Sequence, residues 1–142
     1  MSKKNQNFNN HIRLVAGYHY LTYGLIVLLL ISGVIISLQS EKLILGLLIL
    51  MISTILGLIG FYARYFAIKA QDRAIRAEES LWFFILTGKP ISKNLRLGQI
   101  IALRFASDDE FVDLAARAEN ENLKSKEIKQ AIKNWRGDYH RV

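Results

Sequence analysis

Leu43-Ile-Leu-Gly-Leu-Leu-Ile-Leu-Met-Ile-Ser-Thr-Ile-Leu-Gly-Leu-Ile-Gly-Phe-Tyr-Ala63 holds no charged residue, and the chain runs on from it to Leu86 without a proline. About 20 apolar residues, rising about 1.5 Å each as a helix, cross the hydrocarbon core of a bilayer. Lipid offers no water to the backbone, so such a stretch has to be helical. The continuation contains Arg64, Lys69, Asp72, Arg73, Arg76, Glu78 and Glu79. It reads as the same helix carried into water. The only proline, Pro90, follows its end, and Gly88 before it suits a left-handed helix stop.

Four polar residues, Gln39-Ser40-Glu41-Lys42, precede this stretch and leave room only for a tight turn. Before them, Leu14 to Ser40 carries no formal charge, and Leu21 to Leu38 is almost wholly apolar. The pattern predicts a transmembrane hairpin over 14–63, with helices at about 18–38 and 43–63 lying antiparallel. Tyr18, His19, Tyr20 and Tyr23 cluster at its start, as aromatic residues do at headgroup depth. His19 is expected to bond a nearby backbone group or tyrosine hydroxyl there. Residues 1–13 are polar and Asn-rich and read as a mobile tail. A secretory signal is not expected, given the length of the apolar run and the lack of a small-residue cleavage site.

The chain has 142 residues, 51% of them hydrophobic, which suits one compact unit. It has no cysteine, so disulfides and thiolate metal sites are excluded. The net charge of +7 gathers at the two ends, a surface suited to anionic lipid or an acidic partner. Topology follows from the bases near the span ends. Lys3, Lys4, Arg13, Arg64, Lys69, Arg73 and Arg76 fall on one side and Lys42 alone on the other. Both termini are therefore expected in the cytoplasm of a multi-pass inner-membrane protein.

Residues 64–88 form an amphipathic stalk with Tyr65, Ile68, Ile75, Trp82 and Leu86 along one stripe. Leu81-Trp-Phe-Phe-Ile-Leu86 is apolar all round and needs cover from protein or headgroups. Residues 91–142 are predicted to be a cytoplasmic module of three short helices. The first is capped by Ser92 or Asn94. The second opens on a Ser107-Asp-Asp-Glu110 capping box and stops near Asn122. The third runs from Ser125 to about Arg136. About fifty residues make a marginal free domain, so the module is expected to pack on the Leu81–Leu86 cluster.

Three features could contact partners. Ser53, Gly57, Gly60 and Arg64 share one helix face, with Ser53 and Gly57 a small-xxx-small pair; Gly33 and Ser37 repeat the pattern on the first helix. Packing within the hairpin and contact with another membrane subunit both remain open for this seam. Trp82 and Phe83 mark the apolar stalk tip. Lys126, Lys129, Lys133 and Arg136 would form one basic ridge on the last helix, facing solvent, or else anionic lipid, an acidic protein or nucleic acid. Nucleic acid is disfavoured, because this helix offers few side chains for base edges. The acids Asp108, Asp109, Glu110 and Asp113 read as a helix first turn. His11, His19 and His140 are scattered. Glycine-rich phosphate loops, nucleophile elbows and His-Glu-x-x-His are absent. No catalytic residue, cofactor-binding residue or metal ligand is assigned, and the chain is not expected to be an enzyme.

Asn10-His11, Tyr18-His19-Tyr20, Gln71–Glu79, Leu86–Pro90, Gln99–Ser107 and Ile132–Val142 together resemble a family of small bacterial membrane proteins defined only as a domain of unknown function. The resemblance implies a standalone two-span inner-membrane protein and transfers no site residue. The expected role is a non-catalytic structural or accessory subunit of a larger membrane complex. The alternatives are a homo-oligomeric membrane protein, or a tether that binds anionic lipid, RNA or the ribosome through the basic last helix.

Overall fold

A computed structural model describes residues 6–10 and 15–138. Lys3, Lys4, His11, Arg13 and His140 lie outside the described residues. Among the described residues the chain is all-helical, apart from an antiparallel bridge between Ala106 and Trp135. It divides into two compact units: a hairpin unit, Arg13–Ala67, and a cap unit formed by Met1–Ile12 with Ile68–Val142.

In the hairpin unit a π-helical turn, Gly17–Thr22, leads into α1 (Tyr23–Ser37). The wider π spacing is visible in Thr22, whose hydroxyl donates to the Gly17 carbonyl at 3.1 Å. A 3-10 turn, Ser40–Lys42, then opens α2 (Leu43–Thr87). Two helical runs, Gly17–Ser37 and Ser40–Thr87, are long and apolar enough to cross a membrane. The large apolar side chains of this unit point mostly outward, and its buried positions are small or few: Ile26, Gly33, Gly46 and Ser53.

α2 supplies the first wall of the cap unit, ending at Thr87. Gly88 takes a positive φ of 68°, and its N–H donates to the Phe84 carbonyl at 2.8 Å, an αL stop. Three short helices follow: α3 (Leu97–Leu103), α4 (Asp108–Asn120) and α5 (Ser125–Ala131). α3 packs on both others. Ile100, Leu103, Phe105, Phe111 and Ile128 are fully buried between them. Trp82 and Phe83 pack against this core, with Phe83 edge-on to Phe111 at 6.0 Å. Leu81, Phe84 and Ile85 do not: they are 61%, 52% and 58% exposed. The module thus covers one side of the apolar stalk tip only.

Several local expectations are corrected. α3 begins after Arg96, not after Ser92 or Asn94. The Gln99 side-chain carbonyl accepts the Arg96 N–H at 2.8 Å and so starts the helix there, while Ser92 and Asn94 both donate to Glu119, at 2.7 and 2.8 Å. The Ser107–Glu110 capping box does not close. Glu110 is drawn away to accept the N–H groups of Lys133 and Asn134, at 3.1 and 2.9 Å. The Ser107 hydroxyl makes no cap bond and is buried with no hydrogen-bond partner among the described residues. α4 does stop at Asn122. Its φ is 52°, with Leu123 N–H on the Ala118 carbonyl and Asn122 N–H on that of Glu119, the Schellman pair.

The largest correction is α5. It ends at Ala131, and Ile132 is extended. Ser107 N–H donates to the Asn134 carbonyl at 3.1 Å and Arg136 N–H to that of Phe105 at 2.8 Å. This pairing pulls residues 132–136 out of the helix. Nor does Ser125 cap it: its hydroxyl donates to the Gly98 carbonyl at 2.8 Å, and Lys124 holds the N-cap position. Finally, part of the N-terminal tail is not free. The Gln6 side chain exchanges two hydrogen bonds with the Asp138 backbone, at 3.1 and 2.8 Å.

Candidate functional site

The polar centre of the cap unit lies where four pieces of chain meet. Glu79 and Trp82 come from α2. Arg104 caps the end of α3, and Asp108 opens α4. Arg136 and Asp138 come from the extended segment after α5. One Arg136 Nη reaches both Glu79 carboxylate oxygens at 2.7 Å, and its Nε donates to the Arg104 carbonyl at 3.0 Å. Its other Nη is 3.7 Å from Asp108, whose carboxylate accepts the Trp82 indole N–H at 2.7 Å. Arg104 pairs with Asp138 at 3.1 Å, and its guanidinium lies 4.7 Å from the centre of the Phe105 ring. The arrangement is a clasp that ties residues 135–138 to α2, to the end of α3 and to the start of α4.

A cleft of about 400 Å³ opens beside the clasp, lined on α2 by Gln71, Ala74, Ile75, Glu78, Glu79 and Trp82. Glu79 and Arg104 are almost fully buried. Burial pushes the Glu79 carboxyl above its ordinary range, and the Arg136 guanidinium opposes this without cancelling it. Elsewhere in the cap, the hydrogen bonds from Ser92 and Asn94 hold Glu119 below its ordinary range. Truncating one partner of a buried pair strands the other charge, which costs about 3–5 kcal/mol in known cases. The chemistry on offer is therefore charge pairing and anchorage. Among the described residues no group of three or more His, Asp or Glu side chains could hold a metal ion.

The residues singled out from the sequence fall in different places. Ser53, Gly57 and Gly60 line the inside of the hairpin unit. Ser53 is fully buried and donates to the Ile49 carbonyl at 2.6 Å. A Cβ on Gly57 would meet Ile26 at 4.0 Å, and one on Gly60 would meet the Tyr23 hydroxyl at 3.6 Å. The Tyr18 hydroxyl donates to the Gly60 carbonyl. Two glycines are tighter still. A Cβ on Gly33 would stand 2.9 Å from Leu50, and one on Gly46 would collide with the backbone and hydroxyl of Ser37. The seam is thus used within the chain. Arg64 is half-buried near the end of this face.

Trp82 and Phe83 are turned inward, to Asp108 and Phe111. The four basic residues do not make one ridge, because α5 ends before two of them. Lys126 is exposed on α5, and Lys129 Nζ lies 5.3 Å from the centre of the Phe105 ring. Lys133 is exposed beyond the helix, and Arg136 is held in the clasp. Sequence reading missed Glu79, Arg104 and Asp138 as partners. Residues 57 apart cannot be paired from spacing, and the acid nearest to Arg104 in the sequence, Asp108, is not the one it pairs with.

Two comparisons return nothing: no curated protein and no solved structure matches the chain. A family model does match, over residues 1–142, that of a family of unknown function. The chain belongs to the DUF6526 family.

Proposed function

We propose that the chain is a two-span protein of the bacterial inner membrane, with both termini cytoplasmic. It would serve as a non-catalytic structural or accessory subunit of a larger membrane assembly. The outward apolar side chains of the hairpin unit suit lipid, and its close-packed small residues supply the helix contact that lipid alone does not drive. The Gln6–Asp138 pairing supports termini on one side: the segment before the first span and the segment after the second belong to one folded unit. The excess of bases there makes that side the cytoplasm.

One observation carries the subunit reading. In the unit meant for water, α2 leaves Leu81, Phe84 and Ile85 more than half exposed while Trp82 and Phe83 beside them are used in the core. Contiguous large apolar groups on a soluble surface mark an interaction site. The tether alternative loses its support, since the basic ridge on which it stood is broken at Ala131 and Arg136 is engaged. Extraction of the full chain in mild detergent tests the proposal. Mass measurement should give a particle that contains other proteins besides this chain. A particle made of this chain alone, as monomer or oligomer, overturns it.

A further inference from the structure

The exposed apolar groups are one end of a longer stripe. Ala70, Ala74, Ala77, Leu81 and Phe84 are spaced 4, 3, 4 and 3 along α2, and Ala63 and Ala67 continue that spacing backwards. All five from Ala70 to Phe84 are exposed, Ala74 also bordering the cleft. At about 3.6 residues per turn, this stripe lies roughly opposite the Ile75, Glu79 and Trp82 face that the cap covers. Alternating steps of 4 and 3 keep one seam facing a partner helix, the heptad pattern of a two-stranded coiled coil. Alanine at three of these positions lets two helix backbones come close, and Leu81 and Phe84 add bulk at the end.

The edges of the stripe say what covers it. Arg73 borders one side and Glu78 the other, and both are exposed. They are five residues apart, the relation of a g position to the e′ position of a parallel partner. Under two-fold symmetry each copy supplies one Arg73 and one Glu78, and both pairs form. A membrane surface fits less well, because anionic headgroups would repel Glu78. We propose that a second copy of this chain lies on this stripe in a parallel coiled coil, with Arg73 of each copy facing Glu78 of the other. The parallel sense rests on the two-span reading, under which all copies leave the membrane in one direction. Confinement to the same membrane raises the effective concentration, which favours a seam built largely of alanine.

The chain has no cysteine, so single cysteines report cleanly. Oxidation of native membranes should crosslink Ala77→Cys and Ala70→Cys into a species of twice the chain mass, and leave Arg76→Cys, on the far side, uncrosslinked. Adding Arg73→Glu to Ala77→Cys should lower the crosslinked fraction about tenfold through like-charge contact, and further adding Glu78→Arg should restore it. Equal crosslinking at positions 76 and 77, crosslinks from Ala77→Cys only to proteins of other mass, or failure of the charge swap to rescue would each overturn the pairing. The subunit reading survives the second of these outcomes. Recovery of the chain in the soluble fraction would instead sink the membrane reading.

Discussion

The hairpin unit and the cap unit are held together by opposite means. In the hairpin, contact depends on what is missing. Gly33, Gly46 and Ser53 are buried because they are small, and the bulky residues face away. In the cap, contact depends on what is present. A close-packed core of Ile100, Leu103, Phe105 and Phe111 is bound at its edges by buried polar groups. Under the proposed two-span reading, the contrast follows from the solvent. Burying Leu against Leu gains little free energy when the alternative is lipid, so helix pairs there are joined by close approach. In water the same burial contributes about 1.5–3 kcal/mol per large side chain and decides the fold. Each unit should therefore fail under a different kind of substitution.

The largest loss is expected from hollowing the cap. Phe111 is fully buried and touches Phe83. Phe111→Ala should destabilise the cap by about 3–5 kcal/mol. Both tryptophans of the chain, Trp82 and Trp135, belong to this unit, so their fluorescence during urea unfolding in detergent reports it alone. Helical signal from the hairpin unit should persist through that transition. Loss of both signals together would mean that the two units unfold as one.

Next comes Gln99, whose side chain is almost fully buried. Its amide donates to the carbonyls of Ala118 and Leu123, each at 2.9 Å, while its own carbonyl accepts from Arg96. One side chain thus joins the start of α3 to the end of α4. Gln99→Ala would strand these groups, and buried polar groups left unpaired cost about 1–3 kcal/mol each. About 2–3 kcal/mol should be lost in the same fluorescence measurement. A change below about 0.5 kcal/mol, the range of ordinary surface substitutions, would show that water replaces the amide without cost.

How much of this was legible in the sequence also differs between the units. The two long apolar helices of the hairpin unit were legible, because absence of charge over 20 residues is a strong local signal, and Gln39–Lys42 permits only a turn. In the cap, stops written in local chemistry were readable: Gly88 and Asn122 both adopt the left-handed conformation that their types tolerate. The end of α5 was not. Nothing between Ala131 and Arg136 forbids a helix, and the break comes from Glu110 and the backbone of residues 105–107, more than twenty residues away. The clasp was hidden for the same reason, and its loss of Arg136 to Glu79 dissolved the basic ridge. The stripe on the back of α2 was present in the spacing. It went unread because alanine is a weak hydrophobic marker and the stalk's larger residues pointed to the opposite face.

The hairpin should respond to size where the cap responds to loss. A Cβ on Gly46 has no room beside Ser37, whereas one on Gly57 meets only Ile26 at ordinary contact distance. Gly46→Val should splay the hairpin at a cost of about 1–3 kcal/mol, and Gly57→Ala should be close to neutral. Crosslinking between cysteines placed at Ile36 and Leu47 would read the separation. Equal effects of the two substitutions would remove the seam as the basis of hairpin packing. The tryptophan signal of the cap should not change in either variant.

The smallest effect separates two carboxylates within the cap. Glu79 has its pKa raised by burial, so the folded state holds its proton more tightly than the unfolded state. Its contribution is unfavourable above the folded pKa and is relieved as pH falls from there to the ordinary value near 4.5. Glu119 has its pKa lowered by Ser92 and Asn94, so its contribution is favourable above about 4.5 and is lost as pH falls through its folded value. The two therefore bend cap stability in opposite directions over adjacent windows. In urea titrations followed by tryptophan fluorescence, Glu119→Gln should flatten the acid side of the profile. Ser92→Ala should do the same to a lesser degree, because Asn94 still donates. Glu79→Gln should flatten the region just above 4.5 and leave the acid side alone. If Glu79→Gln instead flattened the acid side and left the region above 4.5 unchanged, Arg136 would have to dominate over burial, and the clasp would be a net source of stability in its ionised form.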